Sequence, residues 1–397
     1  MRKSNQNRQA RVHAMIQKVG GYWRPAAGVA RLLEELGELS EQLRSATTDE
    51  ERKYLAEELA DVWIISTCIA NQFNVDLQIT NTTNTTEASN DKSFEEAVSH
   101  AGRIARIVNY YDGPKKPRSI DSWMPLRPAI AALHQSLYDL ADKCFVDLDA
   151  AIDDKIDRTP ARDAGRFAAT YDPSTAETLA EFSVIRRRTR CPYAKEARLW
   201  GAPAWDDKYS LSRNIDSMFP FFLSFTKAAR LESLDGFVVA VKKPKGGESM
   251  VALAAWFRQF LDALGHVDPE LSPMRSAAIG EPGWQFAFNG LRLFISVFSP
   301  LYARNHPRWS PKTTYVMFQP EQSFDLHEIG SSFPQSATQK QSIRDAFTQS
   351  AFWYPANVID ERVEAAIYLL PRFPDDYDVV WWQETNPQLH LFDSMTG

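Results

Sequence analysis

Cysteine is scarce in this chain. Its 397 residues include three, Cys68, Cys144 and Cys191, set far apart and without C-x-x-C spacing. An odd number with no framework excludes a disulfide-stapled secreted scaffold and points to a reducing cytoplasm. Long apolar runs are missing as well. The longest, around Val62 to Ala70, is too short and too interrupted to span a bilayer, so no membrane partner is expected. The opening MRKSNQNRQARVHAM is basic but has no apolar core, and so does not read as a signal peptide. Positive charge is outnumbered, with 45 Lys and Arg against 51 Asp and Glu. A net charge of −6 argues against a nucleic-acid partner, which needs a basic surface. What is present, 44% hydrophobic and 12% aromatic residues, describes a soluble globular protein. The length predicts two domains rather than one core.

The densest chemistry lies between Gly28 and Val62, in Glu34-Glu35-Leu36-Gly37-Glu38 and Glu57-Glu58-Leu59-Ala60-Asp61. Residues three apart share a helical face, so Glu35 pairs with Glu38 and Glu58 with Asp61. Leu32, Leu33, Leu36, Leu39 and Leu43 predict an apolar stripe beside the first pair, and Leu55, Leu59, Val62, Trp63 and Ile65 one beside the second. The short polar connection from Ser45 to Glu50 lets the two helices pack antiparallel. Four carboxylates then meet across a seam. An acidic run is ordinarily a solvated face, but carboxylates crowded together call for a cation. Oxygen-only ligation suits Mg²⁺ or Mn²⁺.

The ordered pattern E-E-x-x-E followed by E-x-x-D resembles the MazG-type all-α nucleoside triphosphate pyrophosphohydrolases. The likeness extends over roughly the first 165 residues. It implies that Glu35, Glu38, Glu58 and Asp61 hold Mg²⁺ (or Mn²⁺), with Glu34 supporting them or orienting water, and that a nucleoside triphosphate is cleaved between its α and β phosphorus atoms. The basic ending Lys155 to Arg162 is similar to the K-x-x-x-N-x-x-R of such proteins, with Thr159 in place of Asn. That likeness makes Lys155 and Arg162 phosphate-binding candidates. It also leaves a homodimer open, since such relatives commonly assemble as dimers or tetramers.

Taken in order, the chain predicts a helix from Asn7 to Val19, closed by Gly20-Gly21, and then Tyr22-Trp23, either a core pair or a base-stacking pair. The second acidic helix ends near Asn74, and the polar stretch from Asn81 to Asn90 reads as a loop. From Ser93 a faint internal repeat emerges over 93–160, in which Val146-Asp147-Leu148 answers Val75-Asp76-Leu77. Aligned so, Ala129 and Ala132 stand where Glu58 and Asp61 do, and His100 and Arg103 stand opposite Glu35 and Glu38. The repeat would complete a four-helix bundle without metal ligands, leaving Arg103 and Arg106 to face phosphates. The first domain is thus placed at 1–165, a linker at 166–190 and a second domain at 191–397. The basic run Arg186 to Arg190 is either solvated or paired with an acidic group.

Beyond it charge thins and aromatic residues accumulate. Asp216 to Arg230 and Glu248 to Leu264 predict helices, and Gly236 to Val241 a buried strand. Trp284 to Phe288, Asn289-Gly290 and Leu291 to Phe298 predict a hairpin, because Asn-Gly between β-rich runs marks a two-residue turn. Thr313 to Phe318 predicts another strand, and Gln341 to Ser350 and Val358 to Leu370 predict helices. The expected fold is therefore a multidomain chain, an all-α helical bundle followed by an α+β domain with an antiparallel sheet.

In the second domain, Arg190-Cys191-Pro192-Tyr193-Ala194, the loop Ser299-Pro300-Leu301-Tyr302 through His306-Pro307-Arg308, and Val316 through Phe324-Asp325 resemble the YqcI/YcgG family. Some members of that family are haem-dependent N-hydroxylases acting on guanidino groups. The resemblance implies haem b with His306 as axial ligand, His327 or Cys191 as alternatives, and Arg304 and Arg308 on the propionates. It also implies O₂ and an electron donor as partners. Together the two likenesses suggest a bifunctional cytoplasmic enzyme. It would hydrolyse a nucleoside triphosphate, CTP being the first candidate, and N-hydroxylate an amine on the nucleotide base. The alternative is a housecleaning pyrophosphohydrolase with a ligand-binding or haem-sensing second domain.

Overall fold

The computed structural model describes residues 5–45, 48–77, 90–113, 115, 119, 124–166, 171–241, 249–270, 274, 279–330, 335–350, 352, 363–373, 376 and 379–383. The chain divides into two compact units, Met1–Ser174 and Thr175–Gly397. Within the described residues no helix is long and apolar enough to cross a membrane. The predicted loop from Asn81 to Asn90 falls almost wholly outside the described residues.

The first unit is all helical, with α1 (Asn5–Lys18), α2 (Pro25–Ser45), α3 (Asp49–Gln72), α4 (Asn90–Asp112), α5 (Leu126–Lys143) and α6 (Leu148–Arg162). The start of α3 is set by Thr48, whose side chain accepts from the Glu51 backbone N–H while the Glu51 carboxylate accepts from Thr48 N–H at 2.8 Å. This reciprocal cap satisfies two orphan donors. Three acids in its first turn complement the helix dipole. Beyond Glu58, α3 is buried almost all round, as a helix enclosed by neighbours must be; it packs against α1, α2, α5 and α6. α4 and α5 pack on one another and close the bundle over α2 and α3. Inside, Trp63 stacks on His134 with ring centroids 4.7 Å apart, and the imidazole Nε2 lies 3.0 Å from Ser66 Oγ. Arg8 is buried and ties α1 to α6 through Asp149 at 2.6 Å and Asp153 at 3.2 Å. One member of the predicted α2 stripe does not belong to it. Leu33 is 70% exposed, because one turn of helix turns a fifth apolar position away from a seam that Leu32, Leu36 and Leu39 already fill.

The second unit is α+β. Its five-stranded sheet runs β1 (Leu199–Gly201), β2 (Gly236–Val241), β5 (Thr314–Pro320), β4 (Leu291–Phe298), β3 (Ala287–Phe288), in that spatial order. All neighbours are antiparallel except β1 and β2, which are parallel. A parallel pair needs a long crossover, and the helix α8 (Leu211–Glu232) supplies it. The predicted antiparallel sheet is thus a mixed one with a single parallel edge. β2 reads Gly-Phe-Val-Val-Ala-Val because both its faces are covered. Phe182 and Ile185 of α7 (Glu177–Arg188) pack with Val238, Ala240 and Tyr315 on one side. Phe222 and Phe225 of α8 meet Phe237 on the other. α7 lies within the stretch read as linker, and its packing on β1 and β2 makes it part of the second unit. The remaining helices are α9 (Met250–Val267), α10 (Glu321–Leu326) and α11 (Ser336–Gln349).

The Asn289-Gly290 turn has φ of +50° and +73°, as a tight hairpin requires. The strand before it is shorter than predicted, two residues rather than five. Phe286 N–H turns instead to the Tyr368 hydroxyl at 3.2 Å. The predicted helix from Val358 to Leu370 survives, in its described part, only as a 3-10 turn, Glu364–Ile367. Its backbone is claimed by tertiary partners: Ala365 C=O accepts from Trp381 Nε1 at 2.7 Å, and Tyr368 C=O from Val297 N–H.

Candidate functional site

The acids of α2 and α3 do converge. Carboxylate oxygens of Glu35, Glu38 and Glu58 lie within 4.8 Å of one another. Glu35 is buried and Glu38 exposed, so the cluster opens from the seam toward solvent. Glu35 Oε2 and Glu58 Oε2 are buried with no hydrogen-bond partner among the described residues. Burial, reinforced by Asp61, pushes the Glu35 carboxyl well above the usual carboxylate range against the opposing pull of Arg31. The same two causes, then Glu38, push Glu58 up to about 7. Asp61 is raised by burial although Lys155 and Arg31 pull the other way.

Two cations are built into this cluster. Arg31 reaches Glu34 and Glu35 from one turn earlier on α2. Lys155, buried on α6, ion-pairs with Asp61. The sequence reading missed Arg31. Its i,i+4 spacing to Glu35 was the available signal. Lys155, expected on phosphate, is held by the Asp61 carboxylate beside the cluster. Arg162 pairs with Asp163 at 2.8 Å and borders the same site. Arg103 is exposed on α4 and does not line the cavity beside the acids.

Beside the acids lies a cavity of about 310 Å³. One end is polar, with Arg31, Glu34, Glu35, Asp61, Arg162 and Arg166. The other is apolar and is formed partly by α1, through Met15, Ile16 and Val19, together with Trp23 and Ile69. The α1 contribution carried no motif and could not be found from sequence. Thr159, standing where Asn was expected, lines the cavity and donates its hydroxyl to Lys155 C=O at 2.7 Å. The donor set is all carboxylate, and two buried oxygens lack partners. Such a site fits a hard divalent cation such as Mg²⁺ or Mn²⁺.

In the second unit the three haem-ligand candidates part company. His306 is buried in the loop after β4, and its ring stacks on Tyr302 at 4.1 Å and 6°. Its Nδ1 accepts from Arg308 N–H at 3.0 Å, so Nε2 carries the proton and donates to Pro371 C=O at 3.1 Å. Burial, then the Arg308 charge, pushes its pKa down to about 3. With both nitrogens engaged by backbone, His306 does not fit an iron ligand; it pins the loop to the segment around Pro371. Cys191 is half-buried, and burial pushes its thiol up, away from the thiolate that iron needs. His327 is different. Its Nε2 lies 3.2 Å from Asp235 Oδ1, its ring packs on Tyr193 at 4.7 Å, and its Nδ1 has no hydrogen-bond partner among the described residues. Asp235 is itself held by Ser323 Oγ and Arg198 N–H, both at 2.8 Å. A carboxylate on one ring nitrogen is the usual support of a metal-binding histidine. Arg304 is exposed over Trp309, and the half-buried Arg308 guanidinium lies 5.2 Å from the Phe298 centroid.

Comparison with known proteins finds a match to the family model described as MazG nucleotide pyrophosphohydrolase domain over residues 24–91. A second model, described as YqcI/YcgG family, matches residues 190–351. A Bacillus subtilis (strain 168) protein described as uncharacterized protein YpjD is 36% identical over 85 residues, which cover 19% of this chain and 75% of the relative. No solved structure matches the chain.

Proposed function

We propose that this chain, which belongs to the MazG nucleotide pyrophosphohydrolase family through its first unit and carries a YqcI/YcgG family domain in its second, hydrolyses a nucleoside triphosphate to the monophosphate and pyrophosphate with Mg²⁺ or Mn²⁺. The observation that carries the reading is the pair of buried carboxylate oxygens, Glu35 Oε2 and Glu58 Oε2, on facing helices and without a partner among the described residues, with Glu35 lining the adjacent cavity. Glu35, Glu38, Glu58 and Asp61 would hold the cation, which when bound neutralises phosphate charge and lowers the pKa of a water. Until then Arg31 and Lys155 offset part of the carboxylate charge and keep Glu35 and Asp61 in position. The nucleoside lies in the apolar end, against Met15, Ile16 and Trp23, where it excludes water from the polar end. Arg162 and Arg166 flank the phosphates. A panel of nucleoside triphosphates, CTP among them, is assayed for pyrophosphate release with and without Mg²⁺. Release that does not depend on the cation, or no release from any member, overturns the reading.

A second activity is supported by His327. Of the three ligand candidates it is the one with a free ring nitrogen and a carboxylate behind the other. Haem b held there would supply O₂ activation, with an external electron donor, for N-hydroxylation of an amine on the nucleotide base. Asp235 fixes the ring orientation, and Tyr193 covers one face. Protein reconstituted with haem is expected to show a Soret band that His327→Ala removes and His306→Ala keeps. Protein that takes up no haem leaves the first activity alone.

A further inference from the structure

The basic run at the end of α7 is not a simple solvated face. The Arg188 guanidinium lies over two aromatic rings, 4.4 Å from the Trp309 centroid and 5.0 Å from that of Phe352. Arg304, from the loop after β4, lies over the same indole at 5.6 Å, and Arg190 over the same phenyl ring at 5.6 Å. Two rings therefore gather three guanidinium groups from two distant segments of one unit. No carboxylate pairs with any of the three among the described residues. Arg188 Nη1 is buried and has no hydrogen-bond partner among the described residues. The pKa of Arg188 is lowered, first by burial and then by Arg304 and Arg190. The negative end of α7 accounts for a cation at Arg188, but not for Arg304, which comes from elsewhere in the fold.

Like charges held together without a counter-ion, with a buried donor left over, are the complement of a multivalent anion. Planar guanidinium forks suit phosphate oxygens, and stacking on rings orients them in advance. We propose that Arg188, Arg190 and Arg304 form a phosphate site in the second unit, which takes the phosphoryl group of a nucleoside monophosphate. The site itself stands on the geometry of the second unit. Naming the monophosphate as ligand rests on the hydrolysis proposed for the first unit, whose product it is.

The test is calorimetric titration of the full chain in EDTA, which silences cation-dependent binding at the acids. The probes are a nucleoside monophosphate, inorganic phosphate and succinate. Arg304→Met, at an exposed side chain, is expected to weaken phosphate binding by about tenfold, and Arg188→Met by at least as much, the loss that one charge-assisted hydrogen bond represents. Arg190→Ser, also exposed, should weaken it by a smaller factor. Tighter binding of the monophosphate than of inorganic phosphate identifies the nucleotide as ligand; equal binding identifies the phosphoryl group alone. Affinity unchanged in both Arg304→Met and Arg190→Ser overturns the site, and so does succinate binding as tightly as phosphate. Mg²⁺-dependent pyrophosphate release is measured on the same variants and should be unchanged. A protein without that activity whose phosphate binding still falls in Arg304→Met keeps the site and loses only the named source of its ligand.

Discussion

Glu58→Gln should make the cation-free protein more stable at pH 8 while destroying its response to Mg²⁺. The Glu58 carboxyl is raised from an ordinary value near 4.5 to about 7, by burial, Asp61 and Glu38 in that order. The unfolded chain therefore releases this proton at lower pH than the folded one. Below about pH 4.5 both states hold it and the site carries no penalty. As pH rises toward 7 the folded state loses stability, and above 7 the loss is complete. The full displacement corresponds to about 3 kcal/mol. Glu58 is partly exposed, and solvent screening leaves on the order of 1–2 kcal/mol. Glutamine keeps the shape, cannot ionise and removes that penalty. For a unit of this size the gain appears as roughly 2–8 °C in melting temperature at pH 8 and as nothing near pH 4.5. The wild type should gain stability with saturating Mg²⁺, since a ligand bound to the native state adds to it by mass action; the variant should gain little. The measurement is differential scanning fluorimetry at the two pH values, with Mg²⁺ or EDTA. A variant less stable than wild type at pH 8 in EDTA, or one with an undiminished Mg²⁺ shift, would refute the assignment of Glu58 to a crowded, cation-binding cluster.

Other perturbations separate catalytic from structural roles. Glu35→Gln or Asp61→Asn should lower Mg²⁺-dependent pyrophosphate release by orders of magnitude, a transition-state loss of about 4 kcal/mol, while circular dichroism stays unchanged. Lys155→Met strands the Asp61 carboxylate in the seam and should cost about 3 kcal/mol by urea titration in EDTA, with much of the loss recovered on adding Mg²⁺. Recovery is the informative part; a purely structural lysine would show none. Arg8→Ala breaks a buried guanidinium between Asp149 and Asp153 and should destabilise the first unit by about 3 kcal/mol, detected as faster exchange of α1 amides. His306→Ala removes two hydrogen bonds to backbone and a stacked ring, and should destabilise the second unit by about 2–4 kcal/mol, read by urea titration, without altering pyrophosphate release.

What the sequence determined by itself is local and periodic. Glu35 with Glu38, and Glu58 with Asp61, share helical faces because 3.6 residues make a turn, and the cluster of Glu35, Glu38 and Glu58 follows once α2 and α3 pack. The Asn289-Gly290 turn follows from the left-handed backbone those two residues accept, and the buried course of β2 from an unbroken apolar run. Side-chain partners from distant segments were decided by the tertiary structure. That Lys155 reaches Asp61, and that His306 is fastened to Pro371, depends on contacts spanning 94 and 65 residues. The described part of the helix expected from Val358 to Leu370 is a 3-10 turn for the same reason, since the carbonyls of Ala365 and Tyr368 accept from Trp381 and Val297 rather than from helical N–H groups. The cavity wall from α1 and the meeting of Arg188 with Arg304 over Trp309 belong to this class too. Periodicity states which face a residue takes; only packing states what stands opposite it, because the partner is chosen by burial and charge across the whole fold rather than by neighbours along the chain.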